Sequence, residues 1–116
     1  MNNKVDSAYI DLLDTLKFCS SKILDLTDIA IEYKILEDLA LDYDIYFHES
    51  TLDYLLSINM IGEDVYFQIV DLREKIHCII NVDEKRNIYA FRNDPLWLDI
   101  YAQSDLILQK LGSDLR

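Results

Sequence analysis

The sequence predicts a mainly α protein, a compact bundle of four or five helices, and three observations carry that expectation. Apolar residues recur in alternating steps of four and three, the repeat that lines one face of a helix. Glycine occurs only twice and proline once, so residues suited to the tight turns of hairpins are scarce. Asp94-Pro95 and Gly112 frame the last apolar run as a helix start and a helix stop. With 116 residues, 51% of them hydrophobic, the chain is long enough to bury one core. It contains no Gly/Ser-rich or Pro-rich linker and no repeat, so a single domain over 1–116 is expected.

In chain order, Val5, Tyr9, Leu12, Leu16, Cys19, Ile23 and Leu26 predict one first helix of about five turns, widened by Leu13 and Leu24. Thr27 or Asp28 is placed to cap a second helix, whose core stripe is expected to be Ile29, Tyr33, Leu36, Ala40, Tyr43 and Phe47. Beside that stripe, Ile31, Ile35 and Leu39 share a neighbouring face with Asp28, Glu32, Asp38 and Asp42. Such a mixed face is either a second packing surface with acids at its rim or a binding surface.

Ser50-Thr51-Leu52-Asp53 resembles a capping box for a short helix carrying Leu52, Leu55, Leu56 and Met60, with Gly62 at the left-handed position after it. The stretch 65–92 admits two readings. As a helix, Val65, Ile69, Leu72, Ile76, Ile79 and Ile80 form one face, and Asp71 pairs with Lys75. As an α+β alternative, a small antiparallel meander within 65–92 would be flanked by helices, since Val65/Phe67/Ile69 and Ile76/Cys78/Ile80/Val82 alternate. The scarcity of glycine favours the helix. In the last helix, Trp97, Ile100, Tyr101, Ser104, Ile107, Leu108 and Leu111 should face inward.

Cys19 and Cys78 both lie among apolar residues and are expected to be reduced core thiols. Met1 to Ser7 resembles neither a secretory signal nor a presequence, and no run has the roughly 20 apolar residues of a membrane span, so the expected compartment is cytoplasmic.

Charge is the feature that bears on function. From Asp25 to Asp71 twelve acids face one base, Lys34, so this window carries the chain's whole net charge of −11. A field of that sign repels nucleic acid and anionic membranes and attracts basic proteins. Direct contact with either polyanion is therefore not expected. No motif names a reaction. His48-Glu49-Ser50 has the residue types of a hydrolase triad, but neighbours on one backbone cannot converge on one atom. Asp42, Asp44, His48, Glu49 and Asp53 match neither a calcium loop nor a zinc helix, and no phosphate-binding loop is present. No metal, cofactor or catalytic residue is expected, and an enzyme is the least supported class.

What remains is recognition. The acidic window also holds Tyr33, Tyr43, Tyr46, Tyr54 and Tyr66, and tyrosine is a frequent interface anchor. Tyr33 and Tyr43 fall on the expected core stripe, whereas Tyr46 and Tyr54 lie off it. The expected partner-binding residues are Asp38, Asp42, Asp44, Tyr46, Glu49, Asp53, Tyr54, Glu63 and Asp64. They suit a non-catalytic inhibitor or immunity-type protein, monomeric, that neutralises a basic partner such as a toxic nuclease. The alternative is an adaptor or secretion-chaperone-like protein that binds a partner segment in a groove or along a sheet edge. A small metal-binding protein or enzyme stands behind both.

Overall fold

A computed structural model of the chain describes residues 6–112. Asp6 accepts a bond from the Ala8 N–H at 2.8 Å and caps α1 (Ser7–Phe18). Leu12, Leu16, Cys19 and Ile23 are buried as their spacing predicts, but they do not belong to one helix. Ser20 accepts from the Lys22 N–H and donates to the Lys17 carbonyl, which ends α1 and starts a short 3-10 turn (Ser21–Asp25). Short hydroxyl side chains offer the backbone such local alternatives to a continuing helix. Leu26, expected on the same stripe, is exposed, and Val5 lies outside the described residues.

Thr27 caps the second helix, accepting from the Ala30 N–H at 3.3 Å. This helix runs through α2 (Asp28–Tyr33), a π-helical segment (Lys34–Leu39) and α3 (Ala40–Tyr46) without a break. Within the π segment the Ala40 N–H reaches back to the Ile35 carbonyl, five residues away. A wider turn takes up an extra residue, so a strict step of four keeps to one side. Ile31, Ile35, Leu39, Tyr43 and Phe47 are accordingly all buried. This corrects the expected stripe: Ile29 and Tyr33 point to solvent, and the face that mixes apolar and acidic residues supplies the core.

α4 (Glu49–Ser57) starts two residues earlier than the Ser50 box predicts, because His48 Nδ1 accepts from the Ser50 N–H at 3.1 Å and acts as the cap. The left-handed residue after α4 is Asn59, at φ 62°, rather than Gly62. The Met60 N–H bonds to the Leu55 carbonyl and the Asn59 N–H to that of Leu56, the paired bonds of a Schellman ending. Gly62 instead precedes α5 (Glu63–Ile79) at its N-cap.

The contested stretch is helical. α5 buries Val65, Ile69, Leu72, Ile76 and Ile79, a 3-10 turn follows (Asp83–Lys85), and Asn87 caps α6 (Ile88–Asn93). The described residues contain no strand. Cys78 falls on the outer face of α5 and is exposed, against expectation, because the core stripe passes through Ile76 and Ile79. α7 (Pro95–Leu111) has Asp94 as its cap, Pro95 at its start and Gly112 at φ 72° at its end, as predicted.

α7 is the element around which the others gather. It packs on α1, α5 and α6, and the buried side chains of all the helices form one continuous cluster. Two polar links sit inside it. The Ser104 hydroxyl donates to the Leu16 carbonyl at 2.6 Å beside Cys19, and the Tyr101 hydroxyl donates to the Phe91 carbonyl at 2.6 Å. Burial pushes the Cys19 thiol up to about 12, so it stays protonated and unreactive.

Arg92 of α6 clasps the entry to α2. Its guanidinium donates to Asp28 Oδ1 at 2.9 Å, to the Leu24 carbonyl at 3.1 Å and to the Leu26 carbonyl at 2.9 Å. A lysine has no planar fork to reach three acceptors. Arg92→Lys is expected to cost about 1–2 kcal/mol in urea unfolding, with faster amide exchange in 24–28. A variant as stable as the wild type would show that the clasp contributes nothing.

Candidate functional site

The step of four along 28–47 divides the second helix into four faces. The buried face holds Ile31 to Phe47. One flank, Ala30, Lys34, Asp38, Asp42 and Tyr46, lies toward α1, where Lys34 Nζ stands 5.1 Å from the centre of the Phe18 ring. The other flank, Asp28, Glu32, Leu36, Ala40 and Asp44, turns toward α6 and α5, with Asp28 paired to Arg92 and Asp44 to Arg73. The outward face carries Ile29, Tyr33, Glu37, Leu41 and Ile45, all exposed.

The residues expected to bind a partner are therefore not one patch but several neighbouring ones. Asp38, Asp42 and Tyr46 converge with two acids that the sequence reading left out, Asp11 and Asp14 of α1. Partial burial, then the charges of Asp38, Asp11 and Asp14, hold the Asp42 carboxyl above the usual aspartate range. The Asp11 charge, with a smaller contribution from Asp42, pushes the Tyr46 phenol up. Beside burial, both shifts reflect the negative charges gathered between α1 and the second helix. Asp11 and Asp14 escaped notice because they precede the acidic window, yet their spacing of three on α1 put both on one side of that helix.

Around α4 and α5 the nominated groups are tied to structure. The Tyr54 hydroxyl donates to Asp6 Oδ2, joining α4 to the cap of α1 and holding the Asp6 carboxyl below its usual range. Asp53 accepts from the Tyr66 hydroxyl at 2.7 Å, which pushes that phenol up to about 12. Asp64 caps the start of α5 electrostatically and pairs with Lys110 of α7 at 3.1 Å, which lowers its pKa. Glu49 and Glu63 lie exposed in the first turns of α4 and α5.

Cations from the C-terminal half thus reach back into the acidic window. Asp28, Asp44, Asp64 and Asp71 pair with Arg92, Arg73, Lys110 and Lys75, while Asp38 takes the window's own Lys34 at 3.4 Å. Among the described residues Asp25, Glu32, Glu37, Asp42, Glu49, Asp53 and Glu63 have no ion pair. Of the nominated carboxylates, Asp42, Glu49 and Glu63 can meet a partner's cations without giving up an ion pair recorded among the described residues, and Asp53 can do so while its other oxygen keeps the bond from Tyr66.

The histidines serve local structure. His48 Nδ1 caps α4, and His77 Nδ1 shares a 2.9 Å hydrogen bond with the Tyr43 hydroxyl. Among the described residues no three His, Cys, Asp or Glu side chains are grouped to hold a metal ion. None of the described helices is long and apolar enough to cross a membrane. Comparison of the chain with protein-family models, with curated proteins and with solved structures finds no match in any of the three.

Proposed function

We propose that this protein is a non-catalytic, acidic binding module that neutralises a basic protein partner, in the manner of an immunity protein or antitoxin facing a nuclease toxin domain. The observation that supports this reading best is the grouping of Asp11, Asp14 and Asp38 about Asp42, with Tyr46 beside Asp11 and Asp42 and with Lys34 engaged by Asp38. Carboxylates held together against their mutual repulsion bind a guanidinium or ammonium group more readily than isolated ones do, because the partner's charge relieves that repulsion. A nuclease surface that grips phosphate offers such cations. The adaptor alternative gains less support, since the described residues offer no strand edge for a peptide to extend.

The test is association with a basic nuclease domain, sought first among the products of flanking genes. Binding is expected at 1:1, with an association rate that falls roughly tenfold to a hundredfold between low and high salt. Combined Asp42→Lys, Glu49→Lys and Asp53→Lys should abolish that steering while leaving the helical circular dichroism unchanged, as none of the three is buried. An association rate indifferent to salt counts against the reading.

A further inference from the structure

The outward face of the second helix is apolar in four of its five turns. Ile29 is 80%, Tyr33 60%, Leu41 69% and Ile45 55% exposed, with Glu37 in the middle. The π segment produces this arrangement. In an unbroken α-helix, residues sixteen apart would sit on different sides; here the extra residue holds 29, 33, 37, 41 and 45 in one line of about 24 Å. The line is bordered by Asp28, Glu32 and Asp44 on one flank and by Lys34, Asp38 and Asp42 on the other. Asp28, Asp44 and Asp38 hold Arg92, Arg73 and Lys34, so the carboxylates beside the line without an ion pair among the described residues are Glu32 and Asp42.

We propose that this ridge is the docking site for a cationic amphipathic helix of the partner, laid along 29–45 with its apolar stripe on Ile29, Tyr33, Leu41 and Ile45. The proposal rests on the basic-partner reading above and specifies the partner's shape. A narrow apolar line flanked by charge is the complement of another such line, as in helix pairs whose flanking residues set partner choice. The unpaired carboxylates on and beside the line, Glu32, Glu37 and Asp42, together with the net charge of −11, call for Lys and Arg beside the partner's apolar stripe. A second copy of this chain is disfavoured on the same ground. A two-fold contact centred on the ridge would set Glu37 against its own counterpart at the axis, in a protein already at −11. Glu37, at the centre, has no ion pair among the described residues and would receive a lysine or arginine from the partner.

The probe is a synthetic helix of leucine and lysine with its leucines on one face, labelled for fluorescence anisotropy, beside a scrambled peptide of the same composition. The wild type is expected to bind the amphipathic peptide more tightly than the scrambled one. Ile29→Ser with Leu41→Ser should weaken that binding by about tenfold or more, since each substitution removes exposed apolar surface that the complex would bury. Leu98→Ser with Leu106→Ser, which removes exposed leucines of α7, should leave it unchanged. Equal affinities for the two peptides, or equal losses in the two double variants, overturn the ridge. A dimer seen by light scattering that the ridge variant abolishes also overturns it, by giving the face to a second copy. In either case salt-dependent binding of a basic protein, lost on reversal of Asp42, Glu49 and Asp53, would leave the broader reading standing.

Discussion

Replacing Trp97 with alanine is expected to destabilise the protein by about 4 kcal/mol, the largest effect of any single truncation in the fold. Trp97 is fully buried at the first turn of α7, edge-on to Phe91 at 5.4 Å and stacked with Tyr101 at 6.2 Å between ring centres. Its indole N–H donates to the Lys85 carbonyl at 2.9 Å, so the ring also fixes the 3-10 turn between α5 and α6. Truncation leaves a cavity where three elements meet and a partly buried carbonyl without its donor. The midpoint of thermal unfolding should fall by roughly 15 °C. Trp97→Phe fills most of the space and loses only the hydrogen bond, so it should cost about 1–2 kcal/mol. The two are compared by circular dichroism in urea, and equal losses would mean that packing at this site matters less than the indole bond.

The second large effect is a contrast between two deletions. Removing Ala102, an exposed residue in the middle of α7, turns Ser104, Ile107 and Leu108 by about 100° relative to Trp97 and Ile100. That exposes half of the central helix's buried face, and the chain should not fold. Removing Glu37 does the opposite. It takes out the extra residue of the π segment and lets 28–46 continue as an α-helix, in which Ile31, Ile35, Leu39, Tyr43 and Phe47 fall into steps of four, three, four and four. The variant should keep its fold within about 1 kcal/mol of the wild type, since a removed bulge restores regular hydrogen bonding. Unfolding of the Glu37 deletion would show that the wide turn itself is needed for packing.

The same segment explains where the sequence misled. Two complete apolar stripes run through 29–47, one in four-three steps and one in steps of four, and a regular helix can bury only the first. Both include Tyr43 and Phe47, so only their N-terminal halves compete. The structure resolves the competition by widening one turn, which sets the stripe in steps of four against the elements on which the second helix packs, α1, α5 and α6 among them. By contrast, α7 was legible throughout, because it has one stripe and clear start and stop residues, whereas α5 also carried a strand-like alternation and its Cys78 was expected in the core. Cap positions were harder to read: His48 caps α4 where Ser50 was expected to, and Asn59 does what Gly62 was expected to do. The acidic character of the candidate surface was legible; its shape was not. Counting charge along the chain missed Asp11 and Asp14 and could not show that Arg73, Arg92 and Lys110 fold back onto the window, although the Asp71–Lys75 pair was legible from its spacing of four.

Amide hydrogen exchange of the protein in complex with a basic nuclease domain tests the central claim most directly, because it reports where the partner sits. Slowed exchange is expected along 28–47 and in the part of α1 that carries Asp11 and Asp14, with α7 unchanged. Protection confined to α7 and the Lys17–Lys22 side of the molecule, with 28–47 exchanging as in the free protein, would contradict it.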